Sequence, residues 1–517
     1  MHTQSLSGRA VSLLTAAVVL CACSNSATLV GGQGKGSGVA VIALANDPDT
    51  LDPTLAGTFV ARAVFTTFCE KLYDVDEHLE LVPQLAADLP RVSADGLTVR
   101  IPLRTGIKFN DGTDLNAEAV KTTLDRNLTL PTSARKHELG AVEQVVVINP
   151  ETVEIKLKRP YSPLTAQLAD RAGAIMSPTA LRELGNGFGT APVCVGPFSF
   201  TKRIPGSEID FTKSDHYYDK SKVKLRGIKY VIVTDPNVRT ANLRSGDVNA
   251  AEQINPSDVP YLESDPHIRI QKVSTIAYQT LSVNSDPSVT SSPLATSVPL
   301  RRAFEMSIDR DALNKVVFFG QASADCSPLP VDQPFRPAGI KCTPYDPEGA
   351  RAIVAQSGHN LPIPVDLLIS AKQPDEKIAE VIQQMTKQAG FDVKIRPVEL
   401  AAANDLADTG KFDVYLVSWS GRIDPDGYFT DVVTTGGSIN DGRIADHTLD
   451  RLVADAAALS SHDERVASYR SVLDRLQLLN ANIYLYHPSW FLGLNGLTGV
   501  RYGSDAIPRM KTAELTR

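Results

Sequence analysis

Short apolar or alternating segments fill the first half of the chain and predict strands. The first of them is the apolar segment 39–44, which predicts the first strand. A helix is predicted around 58–72. Asn116 is the predicted N-cap of a second helix that begins at Ala117, because a short polar side chain accepts the first free amide hydrogens of a helix. Alternation predicts further strands at 81–85, 97–103, 145–148, 152–157, 199–202, 209–211 and 229–233.

The pattern changes near residue 300, where helical periodicity becomes frequent. Leu300, Ala303, Phe304 and Ile308 share one face of a predicted helix over 300–310. Strands that alternate with helices favour an α/β lobe with a partly parallel sheet. Further helices are predicted near 347–357, 375–389, 447–458 and 463–480, with strands at 365–369, 392–395 and 413–418 and a last strand at 483–486.

Composition narrows the class of protein. The 517 residues are enough for two or three domains, and 43% hydrophobic with 21% charged residues is ordinary for a soluble globular chain. A net charge of −7 without a cluster of Lys and Arg argues against nucleic acid as a partner. The chain contains no GxSxG, HExxH, phosphate-binding loop or zinc-ligand spacing, so we expect a protein that is not an enzyme and needs no cofactor or metal.

The N-terminus carries an export signal. Arg9 precedes an apolar run over 10–22, which is too short to span a bilayer, and the run ends in the lipobox sequence LCAC at 20–23. We expect a signal peptide over 1–22 and lipidation of Cys23, which would hold the protein on the extracytoplasmic face of the cell membrane. The alternative is an ordinary secretory signal that contains cysteines. Residues 23–38 are small, polar and Gly-rich, and predict a flexible tether.

Four cysteines remain after the signal. Outside the cytoplasm they suggest disulfides, with three possible connectivities. Cys326 and Cys342 bracket a Pro-rich segment and are the favoured pair, which leaves Cys69 with Cys194. A metal site is a weak alternative, since the chain has no CxxC and its histidines are scattered.

Six segments stand out along the chain: DTLDP (49–53), IPLRTGIKFNDGTDLNAEAV (101–120), VGPF (195–198), RTANLRSGD (239–247), RRAFEMSIDR (301–310) and WSGRIDP (419–425). Most of them have a structural interpretation: the turn at 109–115 leads to Asn116, Asp309 and Arg310 end and cap helices, and Gly196 with Pro197 forms a turn. In the same order, the six segments resemble motifs of the bacterial extracellular solute-binding proteins of family 5, the peptide- and nickel-uptake class.

This resemblance implies an α/β fold of two lobes, the type II periplasmic-binding-protein or Venus-flytrap fold, with an extra subdomain in the first lobe. The lobes would close on a solute by a hinge motion. The implied boundaries are 39–57, 188–277 and 482–517 for the first lobe, 58–187 for the extra subdomain and 278–481 for the second lobe.

Trp419 is the first candidate for the binding site. It is one of two tryptophans, and it follows an apolar strand and precedes a loop of Gly, Asp and Pro. An indole at such a position offers a flat contact to a peptide backbone or a sugar ring. The alternative is plain packing between the lobes. Trp490 is predicted to lie in a core.

Arg422 departs from the family pattern. In peptide-binding relatives an aspartate three residues past this Trp commonly pairs with the amino group of the peptide, whereas a guanidinium favours a carboxylate or a phosphate. Asp424 or Asp426 could supply the negative group instead, or the ligand is anionic. Alternatively, one of these two aspartates merely neutralises Arg422. The resemblance points to four further contact candidates: Thr54, Thr58, Tyr278 and Gln279.

We therefore expect a lipid-anchored, monomeric substrate-binding protein of an ABC importer. It would capture peptides or peptide-like solutes between its lobes and deliver them to a cognate permease. One alternative is a receptor for a non-peptide anionic solute, such as an opine or sugar-phosphate conjugate, glutathione, haem or a nickel chelate. The other is an envelope regulator that no longer takes part in transport.

Overall fold

The computed structural model describes residues 38–516. The predicted signal peptide, the lipidation of Cys23 and the tether up to residue 37 lie outside the described residues. Within 38–516, no helix combines the length and the apolar character that crossing a membrane requires.

A seven-stranded mixed sheet forms the centre of the first lobe. Val39–Leu44 lies inside this sheet and pairs in parallel with a strand on each side. The predicted strand is present, and all of its residues except Val39 are buried. Across the sheet the strands are Ile268–Ser274, Ser489–Asn495, Ala250–Ala251, Val39–Leu44, Gly227–Ile232, Glu208–Lys213 and Phe198–Ile204.

The predicted extra subdomain is a four-stranded antiparallel sheet with helices packed on it. The side-chain oxygen of Asn116 accepts a hydrogen bond from the Ala119 amide at 3.0 Å and caps the helix Ala117–Thr129, as predicted. The buried residues of this sheet are continuous with those of the seven-stranded sheet, so the subdomain is part of the first lobe's core. Its strands are, in spatial order, Arg91–Val92, Thr98–Pro102, Thr152–Leu157 and Val142–Asn149.

Smaller elements complete the first lobe. Helices lie at Phe59–Phe68, Leu164–Gln167, Pro178–Leu184, Pro236–Ser245 and Val259–Glu263, with short 3-10 turns at Arg171–Gly173, Gly185–Thr190 and Lys220–Lys222. Two-stranded pairs join Tyr73–Val75 to Leu81–Pro83, Leu497–Thr498 to Glu514–Leu515 and Arg501–Tyr502 to Pro508–Arg509.

The second lobe has a six-stranded sheet with helices around it. Its parallel part, which the alternation of strands and helices predicts, joins Ile363–Ser370 to Phe391–Val398 and to Val414–Trp419. The spatial order is Ser323–Ala324, Asn482–His487, Tyr278–Val283, Val414–Trp419, Ile363–Ser370 and Phe391–Val398. The helices are Pro293–Thr296, Val298–Met306, Arg310–Phe318, Pro347–Gln356, Asp375–Lys387, Leu400–Asp408, Asp426–Val432, His447–Ala458 and His462–Leu479.

The chain crosses between the two sheets at 275–277 and again at Pro488. The two crossings lie side by side, because the Thr275 amide and hydroxyl both donate to the Pro488 carbonyl, at 3.2 and 2.8 Å. Two sequence predictions are wrong here. Asn482–His487 pairs with Tyr278–Val283 in the second sheet, so the boundary at 482 falls too early, and the strand at 483–486 is not the last. The chain is apolar on both sides of Pro488, and this pattern does not reveal that the strands join different sheets.

Both favoured disulfide pairings are present. Cys326 and Cys342 close a segment of the second lobe. Cys69 and Cys194 tie the end of the helix Phe59–Phe68 to the turn before Phe198. A side chain at Gly196 would lie 2.3 Å from the Phe68 carbonyl oxygen, so this close approach requires glycine.

Asn116→Ala removes the side-chain acceptor at the start of the helix Ala117–Thr129. We expect it to lower the free energy of unfolding by about 1 kcal/mol, measured by urea denaturation. Asn116→Asp keeps the acceptor and is expected to retain the wild-type stability. An equal loss in both variants would show that the cap does not stabilise this helix.

Candidate functional site

Trp419 ends the strand Val414–Trp419, directly opposite Tyr278 on the neighbouring strand. Its side chain is half-buried and packs against the cluster that contains Tyr278 and Tyr428. The indole nitrogen is buried without a hydrogen-bond partner. Trp419 therefore lies at a sheet end, where the sequence predicts it, with a donor still available.

The loop after Trp419 carries residues of the second lobe into the first. Gly421 has a φ of +77°, and a side chain there would lie 2.3 Å from the Ile276 carbonyl oxygen in the crossing segment. Glycine thus lets the loop pack against the crossing. Two residues later, Ile423 is buried in the core cluster of the first lobe and lines a small cavity with Phe65 and Arg62.

The Arg422 guanidinium lies over the ring of Trp419, 4.6 Å from its centroid. Its Nη1 donates to the Gly421 carbonyl at 2.9 Å, and within residues 38–516 it forms no ion pair with a carboxylate. Burial lowers the pKa of Arg422, and the charge of Arg62 in the first lobe lowers it further. The second lobe thus presents a cation that has no carboxylate partner in residues 38–516, directly before Ile423, which packs into the first lobe.

Asp424 and Asp426 are buried and bound to other partners. Asp424 accepts two hydrogen bonds of 2.7 Å from Arg465. Asp426 accepts from the hydroxyls of Tyr161 at 2.6 Å and Thr430 at 2.8 Å. Burial raises the pKa of Asp426 to about 6, and the neighbouring Asp424 contributes to this rise. The interpretation that one of these aspartates neutralises Arg422 is therefore wrong. The hydrogen bond between Tyr161 and Asp426 links the extra subdomain to the second lobe.

The four remaining candidates divide between the two lobes. Tyr278 is buried against the rings of Tyr428 and Tyr484, and Gln279 is buried with its side-chain amide nitrogen unpartnered. These two accompany Trp419. Thr54 and Thr58 have contacts within the first lobe: Thr54 is fully buried and donates to Asn127 at 2.7 Å, and Thr58 caps the helix Phe59–Phe68 and donates to Asp49 at 2.6 Å.

Trp490 is only half-buried, so the prediction that it lies in a core is wrong. Its ring meets the ring of Phe59 edge-on, with centroids 4.7 Å apart. The strand Ser489–Asn495 was not foreseen. Within this strand, Phe491 and Leu492 are buried in the core, whereas Trp490 lies near the start of the strand and is only half-buried.

Sequence reasoning missed a group of charged side chains in the first lobe that faces Arg422. We call it, together with Arg422, the interlobe charge cluster. Arg62 binds Asp170 through two contacts of 3.1 and 3.0 Å. Arg135 and Arg171 each donate to the Ala56 carbonyl at 2.9 Å. The cluster consists of Arg62, Arg135, Glu138, Asp170, Arg171 and Arg422.

The interlobe charge cluster has four guanidinium groups and two carboxylates. Burial lowers the pKa of Arg171 to about 9, and the neighbouring Arg135 contributes to this fall. Three of its buried donor atoms have no hydrogen-bond partner: Nη1 of Arg62, Nε of Arg135 and Nε of Arg171, the last of which lies 3.7 Å from an Asp170 oxygen. Buried polar groups are normally hydrogen-bonded, so these atoms mark a place that suits an acceptor-rich ligand. No local pattern reveals the cluster, because its members come together only in the folded chain.

Solved structures share this fold over nearly the whole chain. NikZ from Campylobacter jejuni in complex with Ni(L-His) has a TM-score of 0.81 at 21% identity and covers 92% of this chain and 99% of its own. DppA from Helicobacter pylori in complex with the peptide STSA has a TM-score of 0.82 at 21% identity, covering 93% and 98%. AgaA from A. tumefaciens R10 in complex with agropinic acid has a TM-score of 0.80 at 23% identity, covering 93% and 99%. The two-lobed α/β fold is confirmed by these likenesses.

Sequence comparison identifies the family. Residues 80–441 match the family model described as bacterial extracellular solute-binding proteins, family 5 Middle. The glutathione-binding protein GsiB of Shigella dysenteriae is 31% identical over 361 residues, which are 69% of this chain and 69% of that protein. GsiB of Escherichia coli K12 is 30% identical over the same length. The chain belongs to the bacterial extracellular solute-binding proteins of family 5, which are binding proteins and not enzymes.

Proposed function

We propose that this protein is the substrate-binding component of an ABC importer and captures a small peptide-like solute that carries carboxylates. Its partners would be that solute and a membrane permease. A lipid on Cys23 would hold it at the extracytoplasmic face of the membrane. The observation that carries the solute class is Arg422, which lies on Trp419 without a carboxylate partner among residues 38–516 and faces a cluster with excess positive charge.

Electrostatics favours a carboxylate as the ligand group. A guanidinium can hold a carboxylate through two parallel hydrogen bonds, and this interaction strengthens when closure of the lobes removes water. Arg422 belongs to the second lobe, whereas Arg62, Arg135 and Arg171 belong to the first. An anion bound between them would contact both lobes at once, and a solute stabilises the closed state only through contacts that are stronger there.

The relatives support a solute of this kind without identifying it. The GsiB relatives are named for glutathione, a peptide with two carboxylates, and one structural relative holds agropinic acid. Other structural relatives hold a tetrapeptide or a nickel–histidine complex. Excess carboxylate on the solute is the feature that the interlobe charge cluster of this chain would select.

The direct test is native mass spectrometry of the chain from Ser24 onward, as purified, followed by release and identification of the bound molecule. We expect solutes with at least two carboxylates. Bound solutes that are neutral or cationic would contradict the proposed class. A protein that stays empty in mixtures of acidic peptides would favour a regulator without a transport role.

Arg422→Gln removes the unpaired cation and leaves the backbone of the loop in place. We expect glutathione and the dipeptide Glu-Glu, used as probes, to bind about 10- to 100-fold more weakly, because a charged hydrogen-bond donor is lost. Isothermal titration calorimetry gives the affinities. Arg351→Gln, an equal charge change on an exposed helix of the second lobe, serves as the control and should leave both affinities unchanged.

Trp419→Ala removes the half-buried ring beneath Arg422. We expect a loss of probe affinity with little change in the melting temperature, because the half-buried ring lies at the end of its strand and only flanks the core cluster against which it packs. Calorimetry and thermal unfolding measure the two effects, and Trp419→Phe, which keeps a flat ring, should retain part of the affinity. A steep fall in melting temperature with unchanged affinity would make Trp419 a packing residue only.

A further inference from the structure

One carboxylate oxygen of Glu138 accepts no hydrogen bond from any group in residues 38–516. Its Oε1 accepts from Arg135, and its Oε2 is buried without a hydrogen-bond partner. The side chain is 11% exposed. Burying a carboxylate oxygen without a hydrogen-bond donor costs free energy, so buried carboxylate oxygens in folded proteins normally have a donor. The Oε2 atom of Glu138 therefore marks a position for a donor from a ligand.

The position of Glu138 is fixed by the backbone around it. The turn that carries it is held to the first loop of the lobe, because the Ala134 amide donates to the Thr54 carbonyl at 3.0 Å. Arg135, its ion-pair partner, donates to the Ala56 carbonyl at 2.9 Å. The free oxygen of Glu138 is therefore presented from a segment that is hydrogen-bonded to the loop of Thr54 and Ala56.

Glu138 lies close to the second lobe through its ion-pair partner. Arg135 and Arg171 donate to the same Ala56 carbonyl, and Arg171 lines a cavity together with Ile423, the residue after Arg422. The charge of Glu138 also acts on the pKa values of Arg422 and Arg171. Glu138 thus belongs to the same interlobe space as the guanidinium of Arg422. A solute held by Arg422 would lie within the field of this carboxylate.

The other carboxylates near this space are already engaged. Asp170 accepts from Arg62 and from the Arg171 amide at 2.7 Å. Asp424 and Asp426 are bound by Arg465 and Tyr161, as described above. Asp431 is half-buried and accepts from Ser438 at 3.2 Å. Among the acidic side chains of this space in residues 38–516, only Glu138 keeps a buried oxygen without a donor.

The unpartnered atoms together describe a complementary ligand. Five are donors, on Arg62, Arg135, Arg171, Trp419 and Gln279, and one is the acceptor on Glu138. A molecule that satisfies them offers several acceptor oxygens and one hydrogen-bond donor. A free amino group beside carboxylates has this pattern, and its ammonium ion would also offset the charge of Glu138.

We propose that Glu138 binds the free amino group of the solute, so that the protein selects zwitterionic solutes with an amine on the first-lobe side and carboxylates toward Arg422. This inference rests on the proposed function, since it assigns the second recognition group of the same site. The polarity of the site follows from it: the first lobe holds the amine, and the loop after Trp419 holds an acid group.

The test compares each probe with a form that lacks only the amine. Glutathione and Glu-Glu are titrated by calorimetry against their N-acetyl derivatives, with the chain from Ser24 onward. We expect the wild type to bind the free-amine forms about 10- to 100-fold more tightly than the acetylated forms. Equal affinity for both forms would overturn the inference, and this comparison needs no variant.

Glu138→Gln should remove most of that difference. It is expected to weaken binding of the free-amine probes by about 10- to 100-fold and to leave the acetylated probes unchanged. Glu138→Asp, which keeps the charge, should retain part of the preference. Glu143→Gln, an exposed site in the same subdomain, is the matched control. If Glu138→Gln weakens both forms equally, Glu138 does not bind the amine.

The outcomes separate this inference from the proposed function. Binding that depends on Arg422 but ignores acetylation leaves the proposed function intact and overturns only the role of Glu138. Failure of every probe to bind the wild type overturns the proposed solute class, and the role of Glu138 with it.

Discussion

The two adjacent crossings between the sheets are the constraint on which the binding arrangement depends. The segment 275–277 and Pro488 are joined by the hydrogen bonds of Thr275, and the loop of Arg422 packs directly on this junction because Gly421 meets the Ile276 carbonyl. The loop is thus fixed at the pivot, while the rest of the interlobe charge cluster is carried by the first lobe. A rotation between lobes changes the distance across the cluster and leaves the orientation of Arg422 on its own lobe largely unaltered.

Local features were predictable from the sequence, and features made by distant contacts were not. Val39–Leu44 and the Asn116 cap depend on neighbouring residues, and both were predicted. The helix Asp426–Val432 was missed, since Pro425 and Gly427 beside the aspartates resemble a loop. Position and chemical type made Trp419 and Arg422 candidates for the site, but the sequence did not predict which residues contact them. Arg135 and Glu138 look like an ordinary surface pair until the fold places them opposite Arg422.

Buried charge in this site is arranged in two layers. Behind the loop, Arg465 saturates Asp424, and the Asp426 carboxylate, whose pKa is raised to about 6 by burial, is held by two hydroxyl donors. This rear layer satisfies the acidic side chains of the loop internally. In the front layer, Arg422 lies on Trp419 and remains available to bind a solute carboxylate between the lobes. Pairing the rear charges is a condition for leaving a front charge unpaired, because an unpaired carboxylate beside Arg422 would neutralise it.

The position of the strand Ser489–Asn495 has a consequence for how the chain comes to be folded. This strand lies between Ile268–Ser274 and Ala250–Ala251, so the seven-stranded sheet stays split until the C-terminal part of the chain arrives. The second lobe is one continuous stretch and has all its strands earlier. Because a chain is synthesised from its N-terminus, the first lobe therefore begins first and finishes last. Its open strand edges are exposed during that interval, and the chain is most open to mispairing until Ser489–Asn495 takes its place.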